Sequence, residues 1–255
     1  MKILVFDIWG DYAHFKKIYA TTSALTYLVP TKPTIYGYIG AIIGLEKFEN
    51  EYLRHFANKA CLVGLSLLGS VALQTRFSEA DEDSGPVIMR RMGINLRSQL
   101  GARKTTDSPK PTLMEFVYRP RYRLYIHLQD PELYSKLKTN ISEHRAVYTP
   151  TLGLAGLISN FKFLGEFHGI SKSEDTPVQI HSVIPKMQFV RFENSMFDES
   201  VDEFSIVEQS MFAIEMDHER NVTERDDLLL ERKGKPMLAQ VTQYYQINGN
   251  NIVLF

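Results

Sequence analysis

From Arg119 to Leu128 the side chains alternate in kind: Tyr122, Leu124, Ile126 and Leu128 take one set of positions, Arg121, Arg123, Tyr125 and His127 the other. Successive side chains of an extended chain point to opposite faces, so this run reads as a strand with an apolar face toward a core and a basic, aromatic face away from it. The period then changes. Asp130 suits a helix N-cap and Pro131 a first helical position, and Leu133, Leu137 and Ile141 recur at helical spacing toward an end near His144.

A similar pattern precedes it. Lys2 to Ile8 reads as a strand, and after a polar loop Pro33 opens a helix in which Ile35, Tyr38, Ile39 and Ile42 share a side. Gly37, Gly40 and Gly44 lie near that stripe, each costing roughly 1 kcal/mol against alanine, which predicts close backbone approach by a strand or a ligand. Glu49 to Asn58 reads as a short second helix. Cys61 to Phe77 reads as a buried strand, although periodicity alone leaves a buried helix open. After Tyr148 the turn-forming Thr-Pro-Thr-Leu-Gly-Leu-Ala-Gly leads into a strand from Leu157 to Phe167. The order β-α-(α)-β, a long excursion, then β-α-β, predicts an α+β, ferredoxin-like core over residues 1–168, with an insertion at about 78–116. Short strand-like runs at Val178–Ile184, Met211–Met216 and Ala239–Ile247 predict a β-rich region over 169–255. Such a fold hosts many functions and selects none.

Charge narrows the choice. The chain as a whole carries −1, but Pro86 to Ile126 holds nine cations against Asp107 and Glu115, a net +7. Glu193 to Glu231 holds thirteen carboxylates against Arg220 and Arg225, a net −11. The acidic tract reads most simply as a solvated surface, and otherwise as a dock for a basic protein. A charged loop is commonly just solvated too. The basic segment differs in being nearly free of carboxylates and in leading straight into the strand face of Arg121, Arg123, Tyr125 and His127, on a fold order that often presents a sheet to RNA. Cations there would neutralise phosphates while bases stack on tyrosine or arginine.

Other chemistries lack their signatures. Gly64 to Gly69 has the glycine spacing of a phosphate loop but continues as Ser-Val, and no H-E-x-x-H, G-x-G-x-x-G or G-x-S-x-G occurs. Asp81, Asp83 and Gly85 resemble the start of a calcium loop, yet Met92 stands where the bidentate glutamate belongs, so an exposed acidic turn is the better reading and no metal or cofactor is expected. The seven histidines are dispersed. His14, in a loop with Lys16 and Lys17, is the one to weigh as a general base for metal-independent RNA cleavage. The one cysteine, Cys61, can form no internal disulfide. The longest apolar run, Ala60 to Leu73, is short for a membrane span of roughly 20 residues. With Asp7 too early for a signal peptide, these features predict a cytoplasmic chain.

The stretch Tyr27-Leu-Val-Pro-Thr-Lys-Pro-Thr-Ile-Tyr-Gly-Tyr-Ile-Gly-Ala-Ile-Ile-Gly-Leu45 resembles the first-helix signature of the CRISPR-associated family five proteins, of the RAMP superfamily. Phe6 to Phe15 resembles that family's opening strand and loop, Phe116 to Ile126 its strand after the thumb, and Tyr148 to Phe167 its glycine-rich loop and last core strand. The resemblance implies an RNA-recognition-like RAMP core with a β-hairpin thumb and a variable C-terminal β region. It implies a subunit of a type I antiviral surveillance ribonucleoprotein (Cascade), closest in look to subtype I-B. Such a subunit caps the crRNA 5′ handle, contacts the backbone subunit through its thumb, and sits beside the large subunit and the target DNA. One subtype of the family cleaves precursor RNA with adjacent lysine and histidine. Arginine occupies the comparable area here, Arg121 to His127, which argues for a non-catalytic subunit.

The expected RNA contacts are Arg90, Arg91, Arg97, Arg103 and Lys104 on the thumb, Arg119, Arg121, Arg123 and Tyr125 at its base, Lys16 in the first loop, and the helix N-terminus around Thr34 and Gly37. A metal-independent endoribonuclease and a pure assembly protein are the alternatives.

Overall fold

A computed structural model describes residues 1–18, 24–57, 59–73, 86–94, 112–194 and 204–255, with the backbone alone described over 70–73, 86–94 and 112–113. Three of the expected contacts, Arg97, Arg103 and Lys104, lie outside the described residues, as does the acidic turn at Asp81 to Gly85.

Four strands, Lys2–Gly10, Cys61–Leu67, Arg121–Leu128 and Ser159–His168, form one sheet. From edge to edge the order is Ser159–His168, Lys2–Gly10, Arg121–Leu128, Cys61–Leu67, and every neighbouring pair is antiparallel. Helix α1 (Lys32–Ile43) leaves the first of these in sequence, and helix α3 (Pro131–Ser142) leaves the third. The short α2 (Glu51–Phe56) precedes the second. Local sequence explains α3: Asp130 Oδ1 accepts the N–H groups of Glu132 and Leu133 at 2.9 and 3.2 Å, and Pro131 fills the first turn. Helix α1 also carries a proline, Pro33, in its first turn and ends where Gly44 turns left-handed at φ 78°.

The alternation in Arg121–Leu128 is real, and its two faces meet two different cores. Tyr122, Leu124, Ile126 and Leu128 join Leu4, Phe6 and Ile8 beneath α1 and α3. Tyr125, with Ile3 and Val5 beside it, packs under Ile247, Ile252 and Leu254 from the C-terminal end. Of the expected basic-aromatic face, Tyr125 is therefore covered by the chain's own tail, while Arg121 stays exposed and Arg123 and His127 are partly buried. Gly64 makes room, because a Cβ there would lie 2.6 Å from Ile252 Cγ2 and 2.8 Å from Leu254 Cδ2. Phe255 and Val63 exchange backbone hydrogen bonds at 3.0 and 3.1 Å along the sheet's edge.

Two carboxylates of the acidic tract, Glu215 and Glu231, depart from its surface reading. Strands Ile206–Met216 and Val222–Glu231 pair as a hairpin, from which Phe212, Ile214, Leu228 and Leu230 enter the core beneath α1. Glu215 is buried, and its Oε1 accepts from Lys32 Nζ at 2.6 Å and Tyr36 Oη at 3.1 Å. Glu231 is buried too and accepts the backbone N–H groups of Ser205, Lys233 and Lys235. These two carboxylates, which look like solvated charge in sequence, hold the hairpin and its flanks.

Candidate nucleic-acid interface

Helix α1 carries glycines where α2 crosses it. At Gly40 a Cβ would lie 2.9 Å from Tyr52 Cβ, and at Gly44 one would lie 2.8 Å from Val147 Cγ1. The close approach expected from the glycines is thus made by Tyr52 and Val147, not by a strand. Beside this crossing an open groove of about 930 Å³ is lined by Thr34, Gly37, Lys47, Tyr52, Tyr148 and Arg220, among others. The side chain of Thr31, the N-cap, makes no capping bond to the helix backbone; its hydroxyl pairs instead with the Thr34 hydroxyl at 2.8 Å. Helix N–H groups and cations facing one groove can receive an anion. Sequence reading named Thr34 and Gly37 but missed the other four. The one signal for Arg220 was its place as one of two cations within a net −11 tract.

The remaining expected contacts divide. Strand Pro86–Ile94 pairs with Thr112–Tyr118 as an antiparallel hairpin, and Arg90 and Arg91 stand opposite Phe116 and Glu115. Where that hairpin returns to the sheet, Arg119 and Arg121 are exposed, with the Arg119 guanidinium 5.2 Å from the Tyr118 ring centroid. Lys16 is exposed on the short pairing of Phe15–Lys16 with Thr26–Tyr27. Arg123 and Tyr125 are engaged elsewhere. Arg123 makes a two-point pair with the register-matched Asp7, at 2.7 and 3.0 Å, and that carboxylate holds its guanidinium protonated. Tyr125 is 3% exposed beneath the tail, where no base can stack on it in this arrangement.

His14 is buried, its Nδ1 donating to the Glu115 carbonyl at 2.7 Å and its ring 5.7 Å from Phe116. Burial lowers its pKa below the usual imidazole value. The loop after Tyr148 closes over it: Gly153 has φ 99°, and a Cβ there would lie 1.9 Å from the His14 carbonyl oxygen, so only glycine fits. Among the described residues no group of three His, Cys, Asp or Glu side chains is placed to hold a metal, and no helix is long and apolar enough to cross a membrane.

No curated protein matches the chain in sequence. Among solved structures, a CRISPR protein from Archaeoglobus fulgidus superposes with a TM-score of 0.53 at 10% identity, over 99% of this chain and 98% of that one, a likeness of fold. A structure described as a CRISPR RNA-guided surveillance complex gives a TM-score of 0.43 at 10% identity, over 92% of this chain and 91% of its own. In sequence, residues 3–145 match the family described as "CRISPR-associated protein (Cas_Cas5)". That match takes in α1, the hairpin, the first three strands of the sheet and α3, more than half of the chain, and the protein belongs to this CRISPR-associated family.

Proposed function

We propose that the chain is the crRNA-binding subunit of a type I antiviral surveillance complex, nearest to subtype I-B, acting in the cytoplasm. It caps the 5′ handle of the crRNA and joins the large subunit to the backbone subunits. The observation that carries this reading is the basic hairpin on a member of this family: Arg90 and Arg91 lie in its first strand, and Arg119 and Arg121 are exposed where it rejoins the sheet. The sheet order and the two helices following its first and third strands support a ferredoxin-like core, with the hairpin inserted before Arg121–Leu128 as its thumb.

The test is the salt dependence of crRNA binding by the full chain. For about five phosphate contacts to single-stranded RNA, log K falls against log salt with a slope near −3.5, and Arg119→Ala/Arg121→Ala lowers both affinity and slope. A flat salt response with no mutant effect would overturn the reading. The same proposal holds that the subunit does not cut RNA, a view supported by the burial of His14 and the commitment of its Nδ1 to the Glu115 carbonyl. Labelled repeat RNA incubated in EDTA should stay intact. Site-specific cuts that vanish in His14→Ala would make the chain a metal-independent endoribonuclease instead.

A further inference from the structure

Arg220 enters the groove beside α1 from residues beyond the 3–145 segment that matches the family. Its turn is held in place on both sides. Asp217 Oδ1 accepts the N–H groups of Glu219 and Asn221 at 2.9 and 2.8 Å, and these bonds help hold its carboxyl below the usual range. Asn50 Nδ2, at the start of α2, donates to the His218 carbonyl at 2.9 Å, and Arg220 Nη2 donates to the Tyr52 hydroxyl at 3.1 Å. Arg220 itself sits at φ 69°, and Glu49 and Asn50 across from the turn sit at 53° and 54°, left-handed conformations that non-glycine residues keep only when their surroundings enforce them.

The lining pairs cations with flat apolar surface. Lys47 and Arg220 supply charge, while Phe48, 76% exposed, and Tyr148, 48% exposed, supply rings with free faces. Glu46 is the one carboxylate among the described lining residues and can accept from a ribose hydroxyl or a base amine. An acidic peptide would use the cations but leave the rings idle. A single-stranded nucleotide uses both, stacking its base on an aromatic face and presenting its phosphate to arginine or lysine. A volume of about 930 Å³ exceeds what a single base fills.

We infer that this groove is a seat for unstacked RNA nucleotides, with Arg220 as its phosphate clamp and Phe48 as a stacking surface. This rests on the RNA-binding reading and assigns part of that binding to the C-terminal hairpin.

The experiment follows anisotropy of a short fluorescein-labelled single-stranded RNA with the full chain, comparing wild type with Arg220→Ala, Phe48→Ala and, as a control cation outside the groove, Arg191→Ala. Arg220→Ala should weaken binding and reduce the salt slope by about 0.7, the loss of one phosphate contact. Phe48→Ala should weaken binding roughly 5- to 150-fold with the slope unchanged. Arg191→Ala should bind like wild type. If Arg220→Ala lowers the thermal midpoint, Phe48→Ala decides, because that exposed ring belongs to no core. RNA binding by wild type with both groove variants unaffected, or with an equal loss in Arg191→Ala, would overturn the seat while leaving the RNA-binding reading intact. Absence of RNA binding by wild type would overturn both.

Discussion

His14 shows how one buried side chain converts pH into stability. Its pKa is lowered in the folded protein, chiefly by burial, from an ordinary value of 6.5. The unfolded chain therefore takes up this proton at higher pH than the native one does. The associated stability is complete above about pH 6.5 and declines as pH falls toward the depressed native value. His181 is shifted the same way by burial, whereas the depressed carboxyls of Asp217, Asp227 and Glu166 lose their contribution only near and below the ordinary carboxylate range. The thermal midpoint should thus drop between pH 7 and pH 5.5, and His14→Gln, measured at both pH values, should show a smaller drop. An identical drop in the variant would remove His14 from the account. Beside it, Gly153→Ala should destabilise the protein because its Cβ would enter the His14 carbonyl, and circular dichroism melts would register the loss. Neither effect could be read from the sequence, where His14 stood out only as a base next to Lys16 and Lys17. What buries it is a hydrogen bond to residue 115 and a loop at residue 153, both supplied by distant parts of the chain.

At the scale of elements, the legible parts are those whose causes are local. Asp130-Pro131 specifies the start of α3, Pro33 lies in the first turn of α1, and the alternation in 121–128 specifies a strand, all within a few residues of themselves. The use of each face was not legible. The tail that covers Tyr125 begins more than a hundred residues later, and the notch that admits it is a single glycine in another strand. Gly64→Leu should therefore displace Ile252 and Leu254, costing about 1–3 kcal/mol or more of stability and exposing Tyr125 to solvent, which near-ultraviolet circular dichroism would detect. The acidic hairpin is anchored likewise by Lys32 and Glu215, 183 positions apart in sequence. Lys32→Met leaves a buried carboxylate without its cation and should cost about 3–5 kcal/mol. The double variant Lys32→Met/Glu215→Leu should recover much of that cost in urea unfolding. Failure to recover would mean that the Tyr36 hydroxyl, which also donates to Glu215, matters more than the ion pair.

For the whole molecule, net charge conceals the organisation. A chain of −1 separates into a basic hairpin and an acidic one, and the acidic one is drawn inward by Lys32 while sending Arg220 to a groove beside α1. The groove is built from α1, the start of α2, the loop after Tyr148 and the turn at residues 217–221, so no single stretch of sequence announces it. Thr34 and Gly37 were legible through the helix that carries them. Tyr52, Tyr148 and Arg220 became visible only once those elements were assembled. The central claim, that this subunit grips the 5′ handle of a crRNA, is tested most directly by equilibrium binding of the full chain to two RNAs of equal length and composition. One begins with the repeat-derived handle and the other carries the same nucleotides scrambled. The handle RNA should bind more tightly at physiological salt, with the difference reduced in Arg119→Ala/Arg121→Ala. Equal affinity for the two RNAs, unaffected by those substitutions, would contradict it.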